Sequence, residues 1–217
     1  MMNTIQIIAI WAIPVLFAIT LHEVAHGWAA RHYGDHTAAL MGRLSLNPLR
    51  HIDLVGTILV PALLLVLAGF GFGWAKPVPV NFGQLRNPKR DMVWVAAAGP
   101  AANLVMALAW AVVMKIGLSL PGLSEWVATP LILAGQAGIA INLVLLLLNL
   151  LPVPPLDGGR ILAGLAPQRF SGMLARIEPM GMFIVFGLLA VGAMKYILFP
   201  PLRLLTTVIG KFFGIPI

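Results

Sequence analysis

His22, Glu23 and His26 stand as His-Glu-Val-Ala-His at the end of an apolar run from Thr4 to Leu21. On a helix, positions i and i+4 lie one turn apart on the same face, so the two imidazoles can share one metal ion. Glu23 is rotated by about 100° from His22, close to that metal but not competing as a ligand. The role open to a carboxylate so placed is general base toward a metal-activated water. In a soluble protein, single His and Glu residues on helices are ordinarily surface groups or satisfied core groups. Three such groups beside an apolar span cost several kcal/mol unless they pair or bind a metal, which favours the metal here.

The composition places this motif in a membrane. Sixty per cent of the 217 residues are hydrophobic, only 10% are charged, and the mean hydropathy is +0.96; these values lie outside the range of a soluble domain. Apolar stretches suited to a bilayer run from Ile5 to Ala30, Leu54 to Phe72, Met92 to Leu118, Val127 to Leu151 and Pro179 to Leu198, with a shorter tail from Leu202 to Phe213. No connection is long enough for a soluble module, so residues 1–217 are expected to form one intramembrane domain. The expected fold is an all-α polytopic membrane protein with about five to six membrane segments and a small re-entrant β element. Met1 to Gln6 has no Lys or Arg and the apolar run continues into the motif, so this end is not read as a cleaved signal peptide. There is no cysteine, which leaves His and carboxylate as metal ligands. The net charge of +7 is read as basic loops beside anionic lipid rather than as a nucleic-acid surface.

A catalytic zinc site generally has three protein ligands and an open position, so a third is needed. Outside the first motif the acids are Asp35, Asp53, Asp91, Glu125, Asp157 and Glu178. Asp157 stands out because it follows an apolar span in Asn149-Leu-Leu-Pro-Val-Pro-Pro-Leu-Asp-Gly-Gly159. Prolines break the helix there, and Gly158 and Gly159 allow a close turn around a metal or substrate. The competing role for Asp157 is helix N-cap of the segment that follows, and the two roles are compatible. Asp53 and Asp91 read more readily as caps, since each precedes a long apolar run after a Pro-containing loop.

With His22-Glu23-Val24-Ala25-His26, the Asn149–Gly159 element, Gly99-Pro100-Ala-Ala-Asn103 and Gly73-Trp74-Ala-Lys-Pro-Val-Pro-Val80, the chain resembles the site-2 protease family of zinc intramembrane metalloproteases, in its small form without PDZ or CBS modules. The resemblance implies Zn²⁺ held by His22, His26 and Asp157, Glu23 as the base, and Asn149 near the substrate or the oxyanion. It implies a membrane-embedded endopeptidase that cleaves transmembrane segments of single-span or other membrane proteins in regulated intramembrane proteolysis. The rival reading is a metal-ion transporter, but its path would need further ionisable residues through the bilayer. The spans 92–118 and 127–151 offer chiefly Asn103, Gln136, Asn142 and Asn149, with Lys115 near one end.

The three ligands can meet only at similar depth near one membrane face. If the first span ends there and segments 54–72, 92–118 and 127–151 all crossed, Asp157 would emerge on the opposite face, so one must enter and return. Segment 54–72 is the expected one: it contains Pro61 and runs into Gly69-Phe-Gly-Phe-Gly73 and then Lys76-Pro-Val-Pro-Val80, whose alternation suggests an extended return. Two segments, Ala38 to Asn47 and Pro77 to Asn81, are candidate strand edges for holding an unwound substrate by β-addition. Arg31, Arg43, Arg50, Lys76, Arg86, Lys89, Arg90, Arg160, Arg169 and Arg176 all fall on the side of the site, against Lys115 in the loop between the third and fourth apolar segments. This side is therefore expected to be cytoplasmic, in the cell membrane of a prokaryote.

Overall fold

The computed structural model of the chain describes residues 4–60, 63, 76–120, 122 and 124–217. Five of its helices are long and apolar enough to cross a membrane. They are α1 (Thr4–His32), α3 (Pro88–Ser119), α4 (Glu125–Asn149), α6 (Gln168–Ala190) and α7 (Ala193–Phe213); the short helices α2 (Thr37–Leu40) and α5 (Asp157–Leu165) lie between them. With 29 residues at 1.5 Å each, α1 is about 43 Å long and exceeds the hydrocarbon thickness of about 30 Å. Prolines 14, 100, 130 and 179 sit inside α1, α3, α4 and α6, as packed membrane helices permit.

The centre of the bundle is α3, which packs on α4, α1 and α5. Small residues make the approach to α4 close. A Cβ on Gly135 would meet Met114, and one on Gly138 would fall on the Trp110 ring. Ala107 and Ala111 beside them are fully buried. Between membrane helices, where hydrocarbon offers no hydrophobic gain, such backbone proximity and dispersion supply the adhesion. Ala107, Ala111, Met114, Ile139, Leu143 and Ile209 form the core, shared with α7.

Helix directions follow from contacts. Ala18 and His22 meet Asn103, while His26, further along α1, meets Val95, earlier in α3. The two helices are therefore antiparallel. Asn103 meets Asn142 and Gly117 meets Leu131, so α4 is antiparallel to α3 in turn. The chain thus leaves α1 and enters α3 at the same end of the bundle, and α4 returns to that end before Asp157. The parity expected from the sequence holds for the stretch between α1 and α3, whose inner flanks also touch: Lys76 N–H donates to His51 O at 2.9 Å. Arg43 ties the same point by donating to Arg50 O and Lys76 O. Leu54–Leu59 forms π-helical turns; of the rest of the expected re-entrant segment 54–72 only 60 and 63 are described, and the Gly69–Gly73 run lies outside the described residues.

Two expectations are corrected. No strand occurs among the described residues: Ala38 to Asn47 begins in helix α2 and turns at Gly42 with φ +62°. Residues 76–81 are non-helical but do not pair in a ladder, because Pro77 and Pro79 lack donors and the N–H groups of Lys76, Val78 and Asn81 are taken by His51, Glu23 and Asp35. The apolar run 179–198 is also not one helix. It breaks between α6 and α7 at Gly192, whose φ of +69° is left-handed, so the tail 202–213 belongs to α7.

Candidate metal centre

His22 and His26 lie near the end of α1 with their rings edge to face, 4.7 Å apart. Asp157 opens α5, one residue past its N-cap Leu156. It is carried there by the chain that leaves α4 at Asn149, and the turn is tight: a Cβ on Gly158 would strike the carbonyls of Leu150 and Leu151, and one on Gly159 would strike Val153 and Pro154. These glycines are therefore needed for close backbone approach, as their position suggested. His22 Nε2 lies 3.1 Å from His26 Nε2, and Asp157 Oδ2 lies 3.3 Å from each.

The protons around this triangle can be assigned. His22 Nδ1–H donates to Asn103 Oδ1 at 2.6 Å, and His26 Nδ1–H donates to Val95 O at 2.7 Å. Each neutral imidazole then carries a lone pair, not a proton, on Nε2. Two such lone pairs and a carboxylate oxygen face one another in a buried space, and Asp157 Oδ2 has no hydrogen-bond donor. A cation resolves this convergence. Tetrahedral coordination at 2.0–2.2 Å places ligand atoms about 3.3–3.6 Å apart, so edges of 3.1–3.3 Å lie within about 0.2 Å of the short end of the range for a zinc-sized ion. Among the described residues, His22, His26 and Asp157 are the one group of His and acids able to hold a metal.

Glu23 lies beside the triangle, as the rotation along the helix requires. Its Oε2 accepts the Val78 N–H at 2.7 Å, which binds the carboxylate to the 76–81 segment. Gly99 closes the site from α3: a Cβ there would overlap the His26 and His22 rings. Asn149 ends α4 and donates through Nδ2 to Leu145 O. It makes no hydrogen bond to the three ligands. Asp53 caps the turns at 54–59 by accepting from Val55 N and Gly56 N. Asp91 lies inside the first turn of α3 and accepts the N–H of the cap residue Asn87, so it satisfies the cap without being it. Sequence reasoning assigned no role to Val78, Gly99, Val95 or Asn103. Gly99 and Asn103 were visible as motif residues, whereas Val78 and Val95 act through backbone groups.

The chain is 40% identical over 200 residues to YwhC of Bacillus subtilis, a candidate zinc metalloprotease by name, covering 88% of this chain and 84% of that one. It belongs to peptidase family M50. The model of that family matches residues 124–192, the part of the M50 chain that contains Asp157. Rip2 of Mycolicibacterium smegmatis, also named as a candidate zinc metalloprotease, is 34% identical over 88% of this chain and 69% of its own. Rip2 of Mycobacterium tuberculosis is 31% identical, over 97% and 71%. No solved structure matches the chain.

Proposed function

We propose that this M50 peptidase is a zinc-dependent intramembrane endopeptidase, with His22, His26 and Asp157 holding the metal and Glu23 as general base. The observation that carries this reading is the triangle of three proton-free donor atoms, 3.1–3.3 Å on an edge, beside a carboxylate. A zinc ion held by these three residues would supply a Lewis acid that polarises the scissile carbonyl and makes water easier to deprotonate. Glu23 takes a proton from the attacking water and delivers it to the leaving amide nitrogen. The Val78 N–H on Oε2 holds the carboxylate in place, leaving its other oxygen for the water. Asn149, half-buried at the end of α4, serves the substrate or the oxyanion after turning from its helix carbonyl.

The substrates are transmembrane segments of single-span or other membrane proteins, opened locally before attack because a helical peptide bond is shielded by its own hydrogen bonds. Segment 54–72 enters the membrane and returns without crossing it. The site faces the cytoplasm of a prokaryotic cell membrane, on the side where the basic residues collect, and cleavage there fits regulated intramembrane proteolysis. A transport path gains no support: among the described residues Asn103 and Asn142, the buried amides of α3 and α4, are bonded to each other and to helix carbonyls. The test is proteolysis of a panel of single-span proteins by the purified protein with and without a chelator. Cleavage that stops on chelation and returns with zinc supports the reading, and chelator-resistant cleavage overturns it.

A further inference from the structure

A buried chain of amides runs from α4 through α3 to the metal site on α1. Asn103 and Asn142 are both fully buried. Asn142 Nδ2 donates to Gly138 O at 2.8 Å, its own helix carbonyl. Its Oδ1 therefore faces outward and accepts from Asn103 Nδ2 at 2.9 Å. Asn103 Nδ2 also donates to Ala18 O at 3.2 Å, and Asn103 Oδ1 accepts from His22 Nδ1 at 2.6 Å. Each bond fixes the sense of the next.

We propose that Asn142, which touches no metal ligand, is a positioning residue for the metal centre: by orienting the Asn103 amide it holds His22 in the tautomer whose Nε2 lone pair faces the ion. An asparagine amide can turn end for end. If Asn103 did so, its NH₂ would face His22 Nδ1, which would then have to accept, and the ring proton would move to Nε2, in the metal's place. Two acceptors, Ala18 O and Asn142 Oδ1, forbid that turn because carbonyl oxygen would meet oxygen. The outer partners of metal-bound histidines commonly change metal affinity 10- to 100-fold when removed. Here the control reaches one residue further, onto a third helix.

This inference rests on the ligand set proposed above, and its test separates the two. Asn142→Thr keeps a hydroxyl that can donate to Gly138 O and accept from Asn103, as Thr206 and Thr207 donate to their own i−4 carbonyls at 2.8 Å. Asn142→Val has nearly the same shape and neither capacity. Zinc affinity is measured by chelator competition, and the cobalt-substituted protein is compared by visible absorption. Expected is a loss of zinc affinity of about tenfold in Asn142→Val, with Asn142→Thr within about threefold of the parent protein. Equal affinity in the two variants overturns the proposal, whether both match the parent or both fall together, since an amide acting only as glue between helices would affect stability of the metal-free protein instead. A parent protein that binds no zinc overturns the ligand assignment as well. Should Asn142→Val not be recovered folded, Asn103→Thr against Asn103→Val puts the same question one bond nearer the metal.

Discussion

The N–H of Val78 donates to Oε2 of Glu23 at 2.7 Å across 55 positions of sequence. A backbone group in the segment between Pro77 and Pro79 thus orients the side chain proposed as the base, and Val78 itself is buried against α1, where a Cβ on Gly27 would meet it.

Replacing Val78 by proline deletes that donor, while Val78→Ala keeps it and loses only packing. A hydrogen bond to a charged group contributes about 1.5 kcal/mol or more, so Val78→Pro is expected to lower kcat roughly tenfold with zinc content unchanged, and Val78→Ala to lower it less. Steady-state cleavage and metal analysis of both variants check this; equal rates would remove Val78 N–H from the account.

Gly99 is where α3 lies against both imidazoles. Gly99→Ala places a methyl group onto the His26 and His22 rings and should displace them from the metal, lowering zinc affinity at least tenfold, the scale of disturbed ligand orientation. Chelator competition measures it, with circular dichroism to show that the helices persist. Undiminished affinity would mean that the rings have room the structure does not show.

The contact of Lys76 N–H with His51 O brings together the ends of the stretch proposed to enter the membrane and return. Single cysteines at Arg50 and Arg86 in this cysteine-free chain should react with an impermeant thiol reagent from the same side, in intact cells or in inverted vesicles. Labelling from opposite sides would break both the re-entrant reading and the three-ligand site.

Asp35 follows α1 and holds the far end of the 76–81 segment, accepting from Thr37 N and Asn81 N. Burial alone would raise its pKa, but these hydrogen bonds outweigh it and hold the carboxyl below its ordinary 3.8. The folded pKa is depressed, so Asp35 contributes stability that is present above about pH 4 and is lost as pH falls through the folded value. Thermal unfolding of Asp35→Asn should therefore show a shallower loss of stability below about pH 4 than the parent, and identical slopes would contradict the assignment.

Most of the candidate metal centre was legible because polar groups are scarce in apolar helices. His22, Glu23, His26 and Asp157 were conspicuous for that reason, and the demand that three ligands share one depth anticipated the paired flanks of the stretch between α1 and α3. What acts through backbone was not legible: Val78 N–H and Val95 O have no side-chain signature. The break at Gly192 was hidden for a related reason, since hydropathy is blind to one left-handed glycine inside an apolar run. The strand expected at 77–81 rested on the alternation Lys76-Pro-Val-Pro-Val80, and the prolines that produced it also removed the donors a ladder needs, while 38–47 begins in α2 and turns at Gly42.

The central claim is that His22, His26 and Asp157 form one metal centre, and zinc content of purified single variants tests it most directly. Asp157→Ala removes a ligand, whereas Asp53→Ala and Asp91→Ala remove hydrogen bonds at helix starts. The account predicts zinc near one per chain in the parent protein and in the Asp53 and Asp91 variants, and less than about a tenth of that in Asp157→Ala. Equal zinc in all three variants would contradict it.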